Sequence, residues 1–173
     1  PIPSRALMER IAAEEPGNPL YLSGLGLARW KAGEIAGALA ALEAAFALKP
    51  GDPETLFNRY SVLAGASRNK EAAAAIKELV GANPDYAPAL LVLARSYCAT
   101  GGLAGAEVLY RKILKDDPAN TEALNDYGVL LARQGNYPAA GELFSRALRL
   151  SPGLESARQN LERLEKVRAA PRP

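Results

Sequence analysis

Histidine is absent from the 173 residues, and Cys98 is the only cysteine. The lack of histidine removes the commonest general base and the commonest metal ligand of proteins. A single cysteine can form neither an intrachain disulfide nor a metal site built from several thiolates. These absences argue against acid–base catalysis by histidine and against a bound metal ion.

A strong net charge and long apolar runs are also missing. A formal net charge of +2 creates no broad electrostatic field, so nucleic acid and anionic membranes are disfavoured as partners. No apolar run approaches the roughly 18–20 residues that a membrane span needs, and no signal peptide is visible.

The origin of the chain is inferred from its start and its composition. Because it opens at Pro1 rather than at Met, we interpret it as an excised or processed piece of a longer soluble protein. The abundance of Ala, Gly and Arg suggests a bacterium with a GC-rich genome. The cytoplasm and the periplasm both stay open as compartments.

Proline, in contrast, is placed with strict regularity. Five prolines follow one another at intervals of 34 residues: Pro16, Pro50, Pro84, Pro118 and Pro152. A leucine column keeps the same interval: Leu22, Leu56, Leu90 and Leu124. So does an alanine column: Ala38, Ala72, Ala106 and Ala140. A fixed period of this size indicates a repeat architecture, in which each unit packs mainly on its neighbours.

Each 34-residue unit contains two helical patterns separated by short breaks. In the last unit, Leu124, Tyr127, Gly128 and Leu131 recur at i, i+3, i+4 and i+7, which marks one face of a helix. Capping side chains, such as Asn18, Asp52 and Asn120, precede three of the first helices. The pattern predicts helix pairs over 19–32 and 35–48, 53–65 and 69–81, 87–99 and 103–116, and 121–133 and 137–150.

One order of residues resembles the tetratricopeptide repeat (TPR): Leu124, Tyr127, Gly128, Leu131, Ala140, Phe144, Ala147 and Pro152. The resemblance covers all four units. It implies an all-α fold, a right-handed α-α superhelical solenoid of four TPR helix pairs with an N-terminal half-repeat helix and a C-terminal capping helix. We predict a single solenoid over 1–173, with a half repeat at 4–16, repeats at 19–52, 53–86, 87–120 and 121–154, a capping helix at 155–168 and a frayed tail over 168–173.

Four positions depart from this pattern. In the second unit, Arg59 and Tyr60 replace an apolar and a small residue, and Ser67 stands where the other units have glycine. In the first unit, Arg29 occupies a position that is usually apolar. We expect less regular packing in these two units.

Residues with the spacing of a catalytic site are not found. There is neither a glycine-rich phosphate loop with its lysine nor a nucleophile beside a base. Gly24 and Gly26 fit close helix packing better than cofactor binding. Cys98 could be a reactive thiol, but a small wall residue is the preferred interpretation. We predict a chain that is not an enzyme, with no catalytic, cofactor-binding or metal-binding residues.

The first helix of each pair should line the concave side of stacked units. The side of that helix facing the groove should carry positions two, five, nine and twelve of each unit, with Asn58 and Asp126 beside it. Several of these residues are apolar, and an exposed apolar patch usually marks an interaction surface. We predict a groove for an extended or helical peptide, with Arg95 and Asn125 as polar anchors. The candidate groove residues are Leu27, Trp30, Phe57, Asn58, Ser61, Leu91, Arg95, Cys98, Asn125 and Val129.

A core role is the alternative for the apolar members of this set. Leu27, Trp30 and Phe57 could pack against the half repeat or an adjacent helix, and Leu91 and Val129 carry the same two interpretations. Some TPR proteins clamp a C-terminal carboxylate with basic and Asn side chains. That function is disfavoured here, because Asn58 alone fits among the matching positions.

The leading interpretation is a non-catalytic protein–protein interaction module or scaffold that binds a protein or peptide ligand in its concave groove. One alternative is a structural spacer or self-association domain, which would make the chain a homo-oligomer. Another is an accessory TPR domain of a larger protein, such as a glycosyltransferase or a secretion or assembly component.

Overall fold

The computed structural model of the protein describes residues 4–169, and all regular secondary structure in this range is helical. The helices are α1 (Arg5–Glu14), α2 (Pro19–Lys31), α3 (Ile35–Leu48), α4 (Pro53–Gly65), α5 (Asn69–Ala82), α6 (Ala87–Ala99), α7 (Leu103–Asp116), α8 (Thr121–Arg133), α9 (Tyr137–Leu150) and α10 (Glu155–Ala169). None of these helices combines the length and the apolar character needed to cross a bilayer.

The predicted helix ends agree with the observed ones to within one residue in the four pairs. Helix α2 ends one residue early, at Lys31, and α5 extends one residue further, to Ala82. The predicted frayed tail over 168–173 is wrong at its start, because α10 continues to Ala169. Residues 170–173 of that tail lie outside the described residues.

The predicted helix caps are confirmed. Asp52 accepts a hydrogen bond from the backbone N–H of Thr55 at 3.0 Å, and Asn120 accepts one from Ala123 at 3.0 Å. Asn18 accepts in the same way at the start of α2. Each cap satisfies one of the N–H groups that the first turn of a helix leaves without a partner.

The chain divides into two compact units, Pro1–Ala89 and Leu90–Pro173. In the first unit, consecutive helices from α1 to α5 pack on one another, and α2 also contacts α4. In the second unit, α7 to α10 pack consecutively, and α8 also contacts α10. The contacts of α2 with α4 and of α8 with α10 join the first helices of successive pairs. The fold is therefore an all-α helical repeat, as predicted; the single solenoid over 1–173 stays a prediction.

The two helices of a pair approach each other where glycine faces a large side chain. A Cβ atom added to Gly128 in α8 would lie 2.5 Å from the Phe144 ring in α9. A Cβ added to Gly26 in α2 would lie 2.7 Å from Leu42 in α3. Leu42 and Phe144 each cover a glycine of their own helix pair. Contacts this close leave no room for a larger residue.

Two departures from the repeat pattern, Ser67 and Arg59, are accommodated locally. Ser67 adopts a positive φ of 58°, whereas Gly33, Gly101 and Gly135 supply that conformation in the other turns. Arg59 extends to Glu78 of α5, with Nη1 3.0 Å from Oε2. Arg59 thus gains an ion pair, and Ser67 takes a strained backbone conformation in a turn, so neither residue interrupts a helix.

The glycine–phenylalanine contact predicts the cost of filling it. We expect Gly128→Ala to destabilise the fold by about 1–3 kcal/mol, because the new methyl group overlaps the Phe144 ring. Gly81→Ala is the matched control, since a Cβ at this helical glycine meets nothing within 4 Å. The control should stabilise α5 by about 0.5–1 kcal/mol. Urea unfolding followed by circular dichroism measures both, and equal stability of the two variants would contradict the assigned contact.

The strained turn predicts an effect of the opposite sign. We expect Ser67→Gly to stabilise the fold by about 0.5–1 kcal/mol, because glycine adopts a positive φ without steric cost. The reverse change at the equivalent turn, Gly101→Ser, should destabilise by a similar amount, since its φ of 82° is also left-handed. Thermal melting of both variants tests the pair, and a lower melting temperature for Ser67→Gly would refute the strain assignment.

Candidate functional site

Trp30 packs on the core of the first unit. Its indole lies so close to Gly65 that a Cβ there would be 2.7 Å from ring atom Cζ2. The same side chain packs against a buried cluster that includes Leu42 and Val62. Of the two interpretations of Trp30, the structure therefore favours the core role over a freely exposed groove residue.

Other predicted groove residues of the first unit also make internal contacts. The Phe57 ring meets Tyr86 edge-on, with 5.9 Å between the ring centroids. The Ser61 hydroxyl donates to the backbone carbonyl of Phe57 at 2.8 Å. Leu27 is half-buried. These contacts leave less of the predicted surface available to a ligand than the sequence pattern suggested.

Two asparagine bonds join successive first helices in the same way. Asn58 Nδ2 donates to Ser23 Oγ at 3.0 Å, and Asn160 Nδ2 donates to Asn125 Oδ1 at 3.0 Å. The partners are 35 residues apart in both cases, so position six of one unit bonds to position five of the preceding unit. Position five therefore faces the neighbouring first helix.

This geometry corrects the expectation for Leu91 and Asn125, which both occupy position five. Leu91 is buried, with 6% of its surface exposed, and presents no open apolar surface to a ligand. Asn125 is 8% exposed. Its amide nitrogen donates to Asp126 Oδ1 at 3.0 Å while its oxygen accepts from Asn160. Asn125 is thus part of the helix–helix contact and is not a free polar anchor.

The second unit retains an open cleft between α6 and α8. This first recess has a volume of about 230 Å³. It is lined by Arg95, Cys98, Ala99, Tyr110, Asp126, Val129, Leu130 and Arg133. Three predicted groove residues, Arg95, Cys98 and Val129, therefore lie together.

Arg95 is not the isolated cation that the sequence suggested. Its Nε lies 2.6 Å from Asp126 Oδ2, and its Nη2 lies 3.0 Å from Glu122 Oε2. Burial alone would lower the pKa of Arg95, but these two carboxylates outweigh it and raise that pKa. Arg95 therefore connects α6 to α8 as a neutralised ion pair.

Tyr110 forms a polar wall of the first recess. Its side chain is almost wholly buried and stacks on Tyr127, with ring centroids 6.0 Å apart. Burial holds the pKa of the Tyr110 phenol well above its usual value, and the nearby Asp126 adds to the effect. The phenol consequently stays neutral throughout the physiological pH range.

A second recess adjoins the first between α8 and α10. Its volume is about 320 Å³, and it shares Val129 and Arg133 with the first recess. The other lining residues are Ala132, Tyr137, Phe144, Asn160, Arg163, Leu164 and Val167. We call the two recesses together the second-unit groove.

The predicted groove residues do not include Arg133 and Arg163, although the sequence carries signals for both. Arg133 follows Val129 by four residues, so helical periodicity places the two side chains on one face. Arg163 follows Val129 by 34 residues and is therefore its repeat equivalent in α10. Extending the groove positions by one turn, and into the last helix, would have identified both.

The chemistry of the second-unit groove suits binding. Its lining combines apolar side chains with guanidinium groups, a carboxylate and amide or phenol donors. Within the described residues, no group of three His, Cys, Asp or Glu side chains is arranged to hold a metal ion.

Comparison with known sequences identifies the repeat. The family model described as tetratricopeptide repeat matches residues 4–53, 57–121 and 91–155. Among curated proteins, the protein O-mannosyl-transferase Tmtc3 of Drosophila melanogaster is 25% identical over 173 residues. That alignment covers 97% of this chain but 19% of the transferase, so the chain spans about a fifth of that relative's length.

Solved structures share the fold. A tetratricopeptide repeat protein from Parabacteroides merdae ATCC 43184 is 22% identical, with a TM-score of 0.70 over 95% of this chain and 65% of that chain. YrrB, described as a TPR protein with an unusual peptide-binding site, is 18% identical, with a TM-score of 0.62 over 91% of this chain and 81% of that chain. At these identities the likeness extends to the fold alone.

The asparagine contact between α8 and α10 can be tested directly. We expect Asn160→Ala to destabilise the fold by about 1–2 kcal/mol, because it leaves the buried Asn125 oxygen without its donor. Gln159→Ala removes an amide of the same helix that donates an exposed hydrogen bond to Glu155, so it should change stability by under about 0.5 kcal/mol. Chemical unfolding distinguishes the two, and equal losses would mean that the contact is not specific.

Proposed function

Because the chain belongs to the tetratricopeptide repeat family, whose repeats build protein–protein interaction scaffolds, we propose that it binds a peptide segment of a partner protein. The binding surface is the second-unit groove formed by α6, α8 and α10. The chain contributes recognition, and no catalytic step is assigned to its own residues.

The observation that carries this proposal is the continuity of two recesses along one helical face. The recesses measure about 230 Å³ and 320 Å³ and meet at Val129. Each is comparable to, or somewhat below, the smaller ligand pockets, which begin at about 300 Å³. Two adjoining recesses of this size suit consecutive side chains of a peptide better than one compact small molecule.

The polar rim supports a peptide ligand further. The guanidinium of the exposed Arg133 lies beside the apolar surface around Val129. Donors at the edge of an apolar surface can orient a backbone or polar side chain while the recess takes an apolar one. YrrB, which shares this fold, is described as having an unusual peptide-binding site, and this supports a peptide as the ligand.

A second candidate function follows from the similarity to Tmtc3, because this chain matches only part of that protein. The similarity to Tmtc3 covers 19% of that O-mannosyl-transferase. We therefore also propose that the chain acts as the accessory TPR portion of a larger protein, such as a glycosyltransferase. In this role it would bind a protein substrate or partner, while another part of the larger protein would carry out any transfer.

Peptide selection tests the leading proposal. Random dodecamers displayed on phage, with their C-termini fused to the coat protein, are selected on the immobilised chain. The enriched sequences are then synthesised with acetylated and amidated ends and measured by fluorescence anisotropy. We expect Val129→Asp to weaken binding by about tenfold or more, because a carboxylate would replace the central apolar contact.

Val108→Asp provides the matched control. Val108 lies on α7, is 65% exposed and lines neither recess, so this variant should bind like the parent. Circular dichroism melting verifies that both variants are folded. Selected peptides that bind Val129→Asp and the parent equally would refute the groove. A dimer in sedimentation velocity that Val129→Asp dissociates would instead support the self-association alternative.

A further inference from the structure

The cations of the second-unit groove differ in whether the chain itself neutralises them. Arg95 forms ion pairs with both Asp126 and Glu122. Among the residues that the structure describes, Arg133 donates only to the backbone carbonyl of Cys98, at 3.3 Å. Arg163 has no hydrogen bond or ion pair among the described residues. The groove therefore carries two guanidinium groups whose charge no carboxylate of the described chain balances.

These two arginines border the apolar part of the groove. Both line the second recess together with Val129, Leu164 and Val167. Arginine presents a planar fork of donors that matches a carboxylate, and such charge-assisted bonds are stronger than neutral ones. An apolar recess between two such groups is complementary to an apolar side chain with carboxylates nearby.

We infer that the partner of the second-unit groove is an internal acidic segment of a protein. One aromatic or large aliphatic residue enters the second recess, and Asp or Glu side chains on either side bond to Arg133 and Arg163. This inference rests on the proposed function and specifies the chemistry of its ligand.

The amides of the groove argue for side-chain carboxylates rather than a C-terminal one. Asn160 is the amide residue that lines the second recess, and its Nδ2 already donates to Asn125 at 3.0 Å. This bond commits one of the two Nδ2 hydrogens of Asn160 to the helix–helix contact, which leaves fewer amide donors to hold a terminal carboxylate together with its adjacent backbone. Two separate guanidinium groups instead suit two separate carboxylates along an extended segment.

Charge reversal in the groove tests the inference. The probes are the display-selected dodecamers, made with acetylated and amidated ends, and a second set in which every Asp and Glu is replaced by Lys. We expect the selected sequences to be enriched in Asp and Glu around an apolar residue. The double variant Arg133→Glu/Arg163→Glu should weaken binding of the acidic set by at least about tenfold and should bind the Lys set better than the parent does.

Arg149→Glu is the control for the change of charge. Arg149 is an exposed residue of α9 that lines neither recess of the groove, so its reversal should leave the affinity for the acidic set within about twofold of the parent. A similar loss of affinity in Arg149→Glu would mean that the effect comes from overall charge, and it would overturn the inference. Raising the salt concentration should weaken the parent's binding, because exposed ion pairs are screened.

The remaining outcomes separate this inference from the proposed function. The selected peptides could lack acidic enrichment and still bind Val129→Asp more weakly than the parent. That result would overturn the inference of an acidic ligand but would leave the groove as the binding surface. Peptides with a free C-terminal carboxylate could bind more than about tenfold tighter than the same peptides with amidated C-termini. That result would assign the arginines to a terminal carboxylate and would also overturn the inference. Binding that is indifferent to Val129→Asp would refute both proposals.

Discussion

The close approach of the two helices within each pair is the constraint on which the rest of the structure depends. Gly26 admits Leu42, and Gly128 admits Phe144, at distances that no side chain on the glycine would permit. The alanine column keeps the facing helix equally small, since Ala38 and Ala140 are wholly buried. A large residue seated over a small one fixes the height and rotation of one helix on its partner. The alanine column recurs with the 34-residue period, and within each unit the first helices of successive pairs come side by side, α2 with α4 and α8 with α10.

The contact between successive first helices then decides which residues can meet a ligand. The amide bonds from Asn58 to Ser23 and from Asn160 to Asn125 place position five within this contact. In the second unit, positions nine and thirteen are left at the groove, where Val129, Arg133 and Arg163 lie. In the proposed groove, position nine lies one helical turn beyond the contact and can meet a ligand, whereas position five packs between the first helices. In the proposed binding mode, stability and binding would therefore use different positions of the same helix.

The sequence predicted the fold better than the groove, for a physical reason. Helix ends depend on local signals, such as the cap at Asp52 and the left-handed turn at Gly135, and these were predicted correctly. The burial of Leu91 and the ion pairs of Arg95 were harder to predict, because both depend on which residues a neighbouring helix brings close. A single sequence shows that Arg95 is basic, but Asp126 lies 31 positions further along the chain, so their ion pair becomes visible only once the helices are placed. Periodicity predicts which residues share one face of a helix. How many of those residues a neighbouring helix covers depends on how the two helices pack.

The last helix shows how one element can serve both purposes. Helix α10 has Ala157 wholly buried in a cluster with Leu124 and Ala147, so one side of it packs as a first helix of the repeat does. At the positions where α8 carries Leu124, Gly128 and Leu131 against its partner, α10 carries Arg158, Glu162 and Glu165, and all three are exposed. This face suits water rather than another apolar helix, which agrees with a capping role. A third side supplies Asn160, Arg163 and Val167 to the second recess. Because Arg158, Glu162 and Glu165 leave that face of α10 polar, the helix supplies Arg163 and Val167 to the second recess while Ala157 stays in the core.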